Sequence, residues 1–306
     1  MTSKTNWTNW PFLGLGLALF GSLAITPDTL FMRLSGFDGW AMLAWRGLEM
    51  GLLLLCIWTL FNRKQMGTQL RQLRTRAGLG ALAAQSSAGV LFTLAVAETS
   101  VAIVLFCLAT GPIFAALFSI LLLKERTRPA TWIAMIAAFT GVAIAVLDGD
   151  SAHLVMSQGS GNVWLGALYA IGAGAGIGLS FVCIRMNNRL NIVLVTGMQA
   201  SCSGLIGLCA LLLTTGNLSD LAAGHIGYIS VCGLLILPAS FVCLSTASRY
   251  TQAANVSLLM LLETILGPIW VWLGIGEAAS LQMIIGGAIV VIALAIYIPI
   301  SAKAPK

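Results

Sequence analysis

The sequence predicts an all-α integral membrane protein of ten transmembrane helices, arranged as two inverted five-helix repeats with both termini cytoplasmic. Three observations carry that expectation. Apolar runs of about 20 residues recur along the whole chain, basic residues gather on alternate turns between them, and the chain matches itself at one constant offset.

Of the 306 residues, 58% are hydrophobic and only 8% charged, and the mean hydropathy is +0.95. Soluble domains carry about 25% charged residues, so a large cytosolic core is excluded. The first apolar run, Trp10 to Leu34, is too long for a signal-peptide core and reads as a retained helix. Breaks at charge, Gly or Pro then delimit spans at roughly 11–34, 38–61, 77–97, 100–123, 129–147, 162–184, 191–214, 224–248, 252–274 and 279–301. The turns are short, so the chemistry must sit within the helices.

With the N-terminus inside, the inner turns and the termini hold fourteen of the sixteen basic residues: Lys4, Arg63, Lys64, Arg71, Arg74, Arg76, Lys124, Arg126, Arg128, Arg185, Arg189, Arg249, Lys303 and Lys306. The outer turns hold Asp38, Glu98, Asp148, Asp150, Asp220 and Glu277, with both His residues, His153 and His225. This asymmetry sets the orientation in a bacterial-type inner membrane and accounts for the net charge of +6 without nucleic acid. The seven Cys lie in apolar runs with no C-x-x-C pair, so neither a metal site nor a disulfide framework is expected, and no motif calls for a cofactor.

An offset of 152 residues aligns Leu13-Gly14 with Leu165-Gly166, Arg33 with Arg185, Thr99 with Thr251, and Glu125 with Glu277. Each half, 1–150 and 151–306, then holds five spans, and an odd count forces the second half to enter from the opposite side. Inverted repeats build alternating-access carriers, with the substrate site near the midplane.

The residues at these places resemble a known family. Phe20-Gly21-Ser22 in span one, Trp45-Arg46-Gly47 in span two and Thr110-Gly111-Pro112 running to Lys124-Glu125-Arg126 in span four are echoed by Leu262-Glu263-Thr264 running to Gly276-Glu277. The chain is similar to the EamA-type family of the drug/metabolite transporter superfamily. The family pattern is a Glu-Pro pair followed by a Gly-Glu pair. The first half keeps Pro112 and Glu125 but has Gly111 and Lys124, while the second keeps Glu263 and Gly276-Glu277 but lacks the Pro. The resemblance implies a ten-helix transporter and export, and makes Arg46 the family's Arg of span two.

Ionisable groups at membrane depth are costly and mark function by default. Asp28 follows Pro27 in ITPDTLFMRLSG, where the missing donor loosens the helix; it either lines the transport path or partners Arg33 or Arg46. Arg46 and Glu49 share a helical face and can pair, as a structural tie or as a contact that changes during transport. Glu263 either binds a substrate ammonium, carries a proton, or packs two helices as a hydrogen-bonded acid. Trp45 adjoins Arg46 and can stack on a substrate. Gln85, Ser86, Thr110, Tyr169, Ser180, Gln199, Ser240 and Asn255 offer ligand contacts or interhelical hydrogen bonds. Gly172, Gly174, Gly176 and Gly178 lie in a helix with no preceding strand, which excludes a dinucleotide loop and leaves close helix packing.

The expected activity is therefore secondary transport of a small-molecule substrate across the lipid bilayer. Three acids and one Arg at depth favour an amino-acid-like zwitterion or an organic cation, with protons as a coupling ion. Uptake or exchange of another metabolite class, and a channel, are the alternatives. An enzyme is not expected, because no span holds a nucleophile beside a base.

Overall fold

The computed structural model describes residues 11–37, 39–99, 101–125, 127–146, 162–215, 218–276 and 281–303. Among these, every regular element is helical. The loop residues Asp38, Arg126, Asp148, Asp150, His153 and Glu277, and the terminal Lys4 and Lys306, lie outside the described residues.

The chain opens with α1 (Pro11–Ile25) and α2 (Asp28–Ser35), which together make the first span. It continues with α3 (Gly39–Phe61), a short amphipathic α4 (Met66–Leu73), and α5 (Arg76–Glu98). The next span is assembled from α6 (Val101–Leu108), α7 (Gly111–Phe118) and a π turn, Ser119–Leu123, and α8 (Pro129–Val146) follows. Then come α9 (Val163–Met186), α10 (Ile192–Thr214), α11 (Ile226–Val231) joined through a second π turn, Cys232–Ile236, to α12 (Leu237–Tyr250), then α13 (Ala253–Ile275) and α14 (Leu281–Lys303). Among the described residues, eight helices are long and apolar enough to cross a membrane; two shorter apolar stretches, Pro129–Ile144 and Ile284–Ile300, occupy the places of the fifth and tenth expected spans.

Local chemistry explains the helix ends. Asn162 and Asn191 cap α9 and α10, their side chains accepting from Trp164 N and Leu165 N, and from Leu194 N, respectively. At the break in span one, Pro27 cannot donate to Leu23 O. The Thr26 hydroxyl takes that carbonyl at 2.8 Å and itself accepts from the Trp270 indole at 2.9 Å. At the second break, just before Pro112, a threonine hydroxyl again satisfies a carbonyl of the preceding turn: Thr110 Oγ1 donates to Cys107 O at 2.6 Å.

Gly276 ends α13 at φ 79°, the left-handed conformation that suits glycine. Lys124, its register counterpart after the first π turn, adopts the same region at φ 56° with a Cβ in the way. The family glycine is thus a helix C-cap, and this chain carries strain where it has Lys. Lys124→Gly should stabilise the fold by about 1 kcal/mol, read as a raised unfolding midpoint in detergent; a lowered midpoint would contradict the strain.

Helices pack through small residues. α3 crosses α10 where Gly47 meets Gly204 and Gly51 meets Ser201. The glycine run of α9 serves two neighbours in turn. A Cβ on Gly176 would lie 2.7 Å from Ala84 O of α5, and one on Gly178 would lie 2.9 Å from Ala115 N of α7. The remaining principal contacts pair α1 with α12, α5 with α9, α7 with α13, and α8 with α14. The largest apolar core lies among α1, α7, α8, α9, α12, α13 and α14.

Candidate functional site

Because α2 begins at the break, its first residue points into the bundle. Asp28 is 2% exposed and forms an ion pair with Arg46 of α3, whose Nη1 also lies 3.1 Å from Met32 Sδ. Buried pairs of this kind persist because either charge alone would be stranded. The pair is incompletely satisfied: Asp28 Oδ1 and Arg46 Nε are buried and find no hydrogen-bond partner among the described residues.

Asp28 and Arg46 stand at the wall of a cavity of about 470 Å³, to which α2, α3, α5, α6, α9, α10, α12 and α13 all contribute. It reaches from Arg33 and Met42, near one end of the bundle, to Gln199 and Met260 at mid-depth. Two further polar groups open into it. Glu263 of α13 is half-buried, and among the described residues its carboxylate has no hydrogen-bonding side chain or backbone partner. Gln85 of α5 lines the same space. Most of the wall is apolar and pliable: Met32, Met42, Met50 and Met260, with Phe92 and Phe241.

Of the residues that the sequence singles out, Asp28, Arg46, Gln85 and Glu263 line this cavity. Gln199 also lines it, held by its amide donating to Ala81 O at 2.8 Å and to Ser180 Oγ at 3.1 Å; Ser180 is thereby a buried support behind the wall. Ser86 donates to Gln199 O at 3.2 Å.

The others face elsewhere. Glu49 does not pair with Arg46. Its Oε1 accepts from Ser230 of α11 at 2.6 Å, and its Oε2 is buried, without a hydrogen-bond partner among the described residues, against Gly233, where any larger residue would collide with it. Trp45 donates its indole N–H to Leu221 O at 2.9 Å and packs beside Phe37. Thr110 closes its own helix break, Tyr169 packs against the cluster around Val104 and Ala170, and Ser240 bonds back to Ile236 O. Asn255 belongs to a polar chain at the opposite end of the bundle, bonded to Thr251 and Tyr297. Arg33, which the repeat marks as a scaffold residue at a helix end, also lines the cavity.

The methionine wall is the feature that sequence inspection missed. A helical signal for it exists: Met42, Arg46 and Met50 recur at four-residue intervals on α3, and Gln85, Ala88, Gly89 and Phe92 follow the i, i+3, i+4, i+7 pattern of one helix face on α5.

A bundle of apolar helices with broken spans and ionisable groups converging on one internal cavity defines a multi-pass membrane protein that handles a small molecule within the bilayer. The EamA-like transporter family model matches residues 8–147 and again 164–298. The chain belongs to the EamA-like transporter family, part of the drug/metabolite transporter superfamily. An uncharacterized transporter of Clostridium kluyveri is 26% identical over 216 residues, 70% of this chain and 68% of that protein. A solved crystal structure shares the fold, with a TM-score of 0.74 and 14% identity across 95% of this chain and 99% of that chain.

Proposed function

We propose that this transporter is a secondary carrier of a bacterial-type inner membrane. It moves a small metabolite bearing an amine and an apolar body, an amino-acid-like zwitterion or an organic cation, by alternating access and in the direction of export. The observation that carries this reading is the Glu263 carboxylate, which among the described residues has no hydrogen-bonding partner and opens into a cavity walled by Met and Phe beside the Asp28–Arg46 pair. An unpaired carboxylate at depth calls for a cation. A substrate ammonium and a proton are the two that fit, and they exclude one another at a single carboxylate, which is how a proton gradient would be coupled. Arg33 and Arg46 add positive charge to the same wall, so a substrate carboxylate is accommodated too.

The inverted-repeat reading, 1–150 and 151–306, is supported by the helix pairings. Exchanging each span for its counterpart turns the α1–α12 contact into the α9–α5 contact and returns α3–α10, α7–α13 and α8–α14 to themselves. Close contacts follow suit: Gly14 abuts Thr251, and Gly166 abuts Thr99. The double match of the family model has the same division. With the arginine-rich turns cytoplasmic, both termini are inside, and the cavity lies toward the outer half.

The test is thermal stabilisation of the purified protein by leucine and phenylalanine, by their decarboxylated amines, and by the matching carboxylates that lack the amine. A ligand that binds the fold raises its apparent stability. Amino acids or amines should stabilise and the amine-free carboxylates should not. Stabilisation by the carboxylates alone would overturn the assignment.

A further inference from the structure

The cavity ends at mid-depth, and beyond it the bundle is closed by a continuous polar chain that spans six elements. Arg185, at the last turn of α9, donates from Nε to both carboxylate oxygens of Glu125 at 3.1 and 3.0 Å and from Nη2 to Glu125 Oε1 at 2.9 Å. Its Nη1 reaches the free carbonyls at the end of α12 and in the turn after it: Ser248 O at 3.2 Å, Arg249 O at 3.3 Å and Thr251 O at 2.8 Å. The Thr251 hydroxyl accepts from Asn255 of α13 at 2.8 Å, Tyr297 of α14 donates to Asn255 Oδ1 at 2.6 Å, and the Tyr297 hydroxyl meets Thr131 of α8 at 2.8 Å.

We infer that Arg185 and Glu125 form the latch that closes the cytoplasmic end of the pathway, and that this latch must open for the cavity to exchange its content with that side. Three of the elements tied together, α9, α12 and α13, also line the cavity one level higher: Ile177 lies on α9 eight residues before Arg185, about 12 Å along the axis. The attachment of Glu125 is mechanically weak, because it follows the π turn Ser119–Leu123 and the left-handed Lys124 rather than a regular helix end. Finally, one guanidinium holds both Glu125 and the carbonyls at the end of α12, so losing it frees both from α9 together, whereas a scatter of independent bonds would fail singly. Helix-end carbonyls carry partial negative charge, which adds to the hold on the cation. Both residues are partly exposed, at 20% for Arg185 and 31% for Glu125, so water can solvate them once parted.

The inference rests on the carrier reading, yet its test needs no substrate. With all seven native cysteines replaced by Ser or Ala, Met260→Cys places one reporter thiol in the cavity wall. A membrane-impermeant maleimide is then applied to one face or the other in right-side-out and inverted vesicles. The parent should label from the face near Arg33 and be protected from the Arg185 face. Arg185→Ala and the milder Glu125→Gln should raise labelling from the Arg185 face about tenfold or more, and Arg185→Lys should raise it less, because it keeps the charge but loses the fork. Undiminished labelling from the opposite face reports an intact bundle in each variant. Equal labelling of the parent from both faces, or no rise in either Arg185→Ala or Glu125→Gln, overturns the latch. Absence of flux for every amine and amino acid tried would instead count against the carrier reading and leave the labelling result standing.

Discussion

Glu263→Gln should lower substrate flux by about 10- to 100-fold while leaving the protein folded and no less stable. The factor follows from removing one charge-assisted contact to a substrate ammonium, worth about 1.5–3 kcal/mol. Stability should stay within about 0.5 kcal/mol or rise, because no described residue hydrogen-bonds this carboxylate and neutralising it relieves a charge held at depth. A helix-packing acid predicts the reverse, a lowered unfolding midpoint with flux reduced only in proportion to folded protein. Measuring flux and unfolding on the same preparation separates the two roles.

The second large effect lies at the broken first span. Arg46→Met and Asp28→Asn each remove one member of a pair whose carboxylate is 2% exposed, and each should destabilise the protein by about 3–5 kcal/mol by stranding the other charge. The double variant should recover much of that loss, since it strands nothing, and the coupling read from the double-mutant cycle should be several times the few tenths of a kcal/mol seen for independent sites. Additive single effects would mean that the two groups are solvated separately. The partial exposure of Arg46, at 17%, leaves it one face toward the cavity, so flux should fall in the double variant even where stability returns.

Much of the fold was legible because membrane helices advertise themselves. Apolar runs found the helices, and the clusters of Arg and Lys fell on the turns at one end. The break at Pro27 could be foreseen because proline lacks a donor, but its repair could not, since Trp270 reaches Thr26 across 244 residues. The same limit governs the site. Asp28 and Arg46 were candidates for each other, whereas the spacing of Arg46 and Glu49 allowed an equally good pair on one helix. Tertiary placement of α2 and α11 gives Arg46 to Asp28 and Glu49 to Ser230. Trp45, Tyr169 and Asn255 illustrate the opposite case: each finds its partners away from the cavity, Trp45 at Leu221 O, Tyr169 in the cluster around Val104, and Asn255 at Thr251 and Tyr297, and much of the cavity wall is left to methionines. Arg185 and Glu125 were visible only as markers of the repeat, each aligned with a partner in the other half. That the two grip each other is a fact of packing.

In the proposed cycle, a cavity built around Glu263 binds an amine-bearing substrate and carries it by alternating access. The most direct measurement is counterflow in proteoliposomes: purified protein, radiolabelled phenylalanine or phenethylamine at trace concentration outside, and the unlabelled compound in excess inside. A carrier of this kind should show saturable uptake that is accelerated by the internal compound and lost in Glu263→Gln. Uptake that rises linearly with concentration and ignores the internal compound would be the behaviour of a channel and would contradict it.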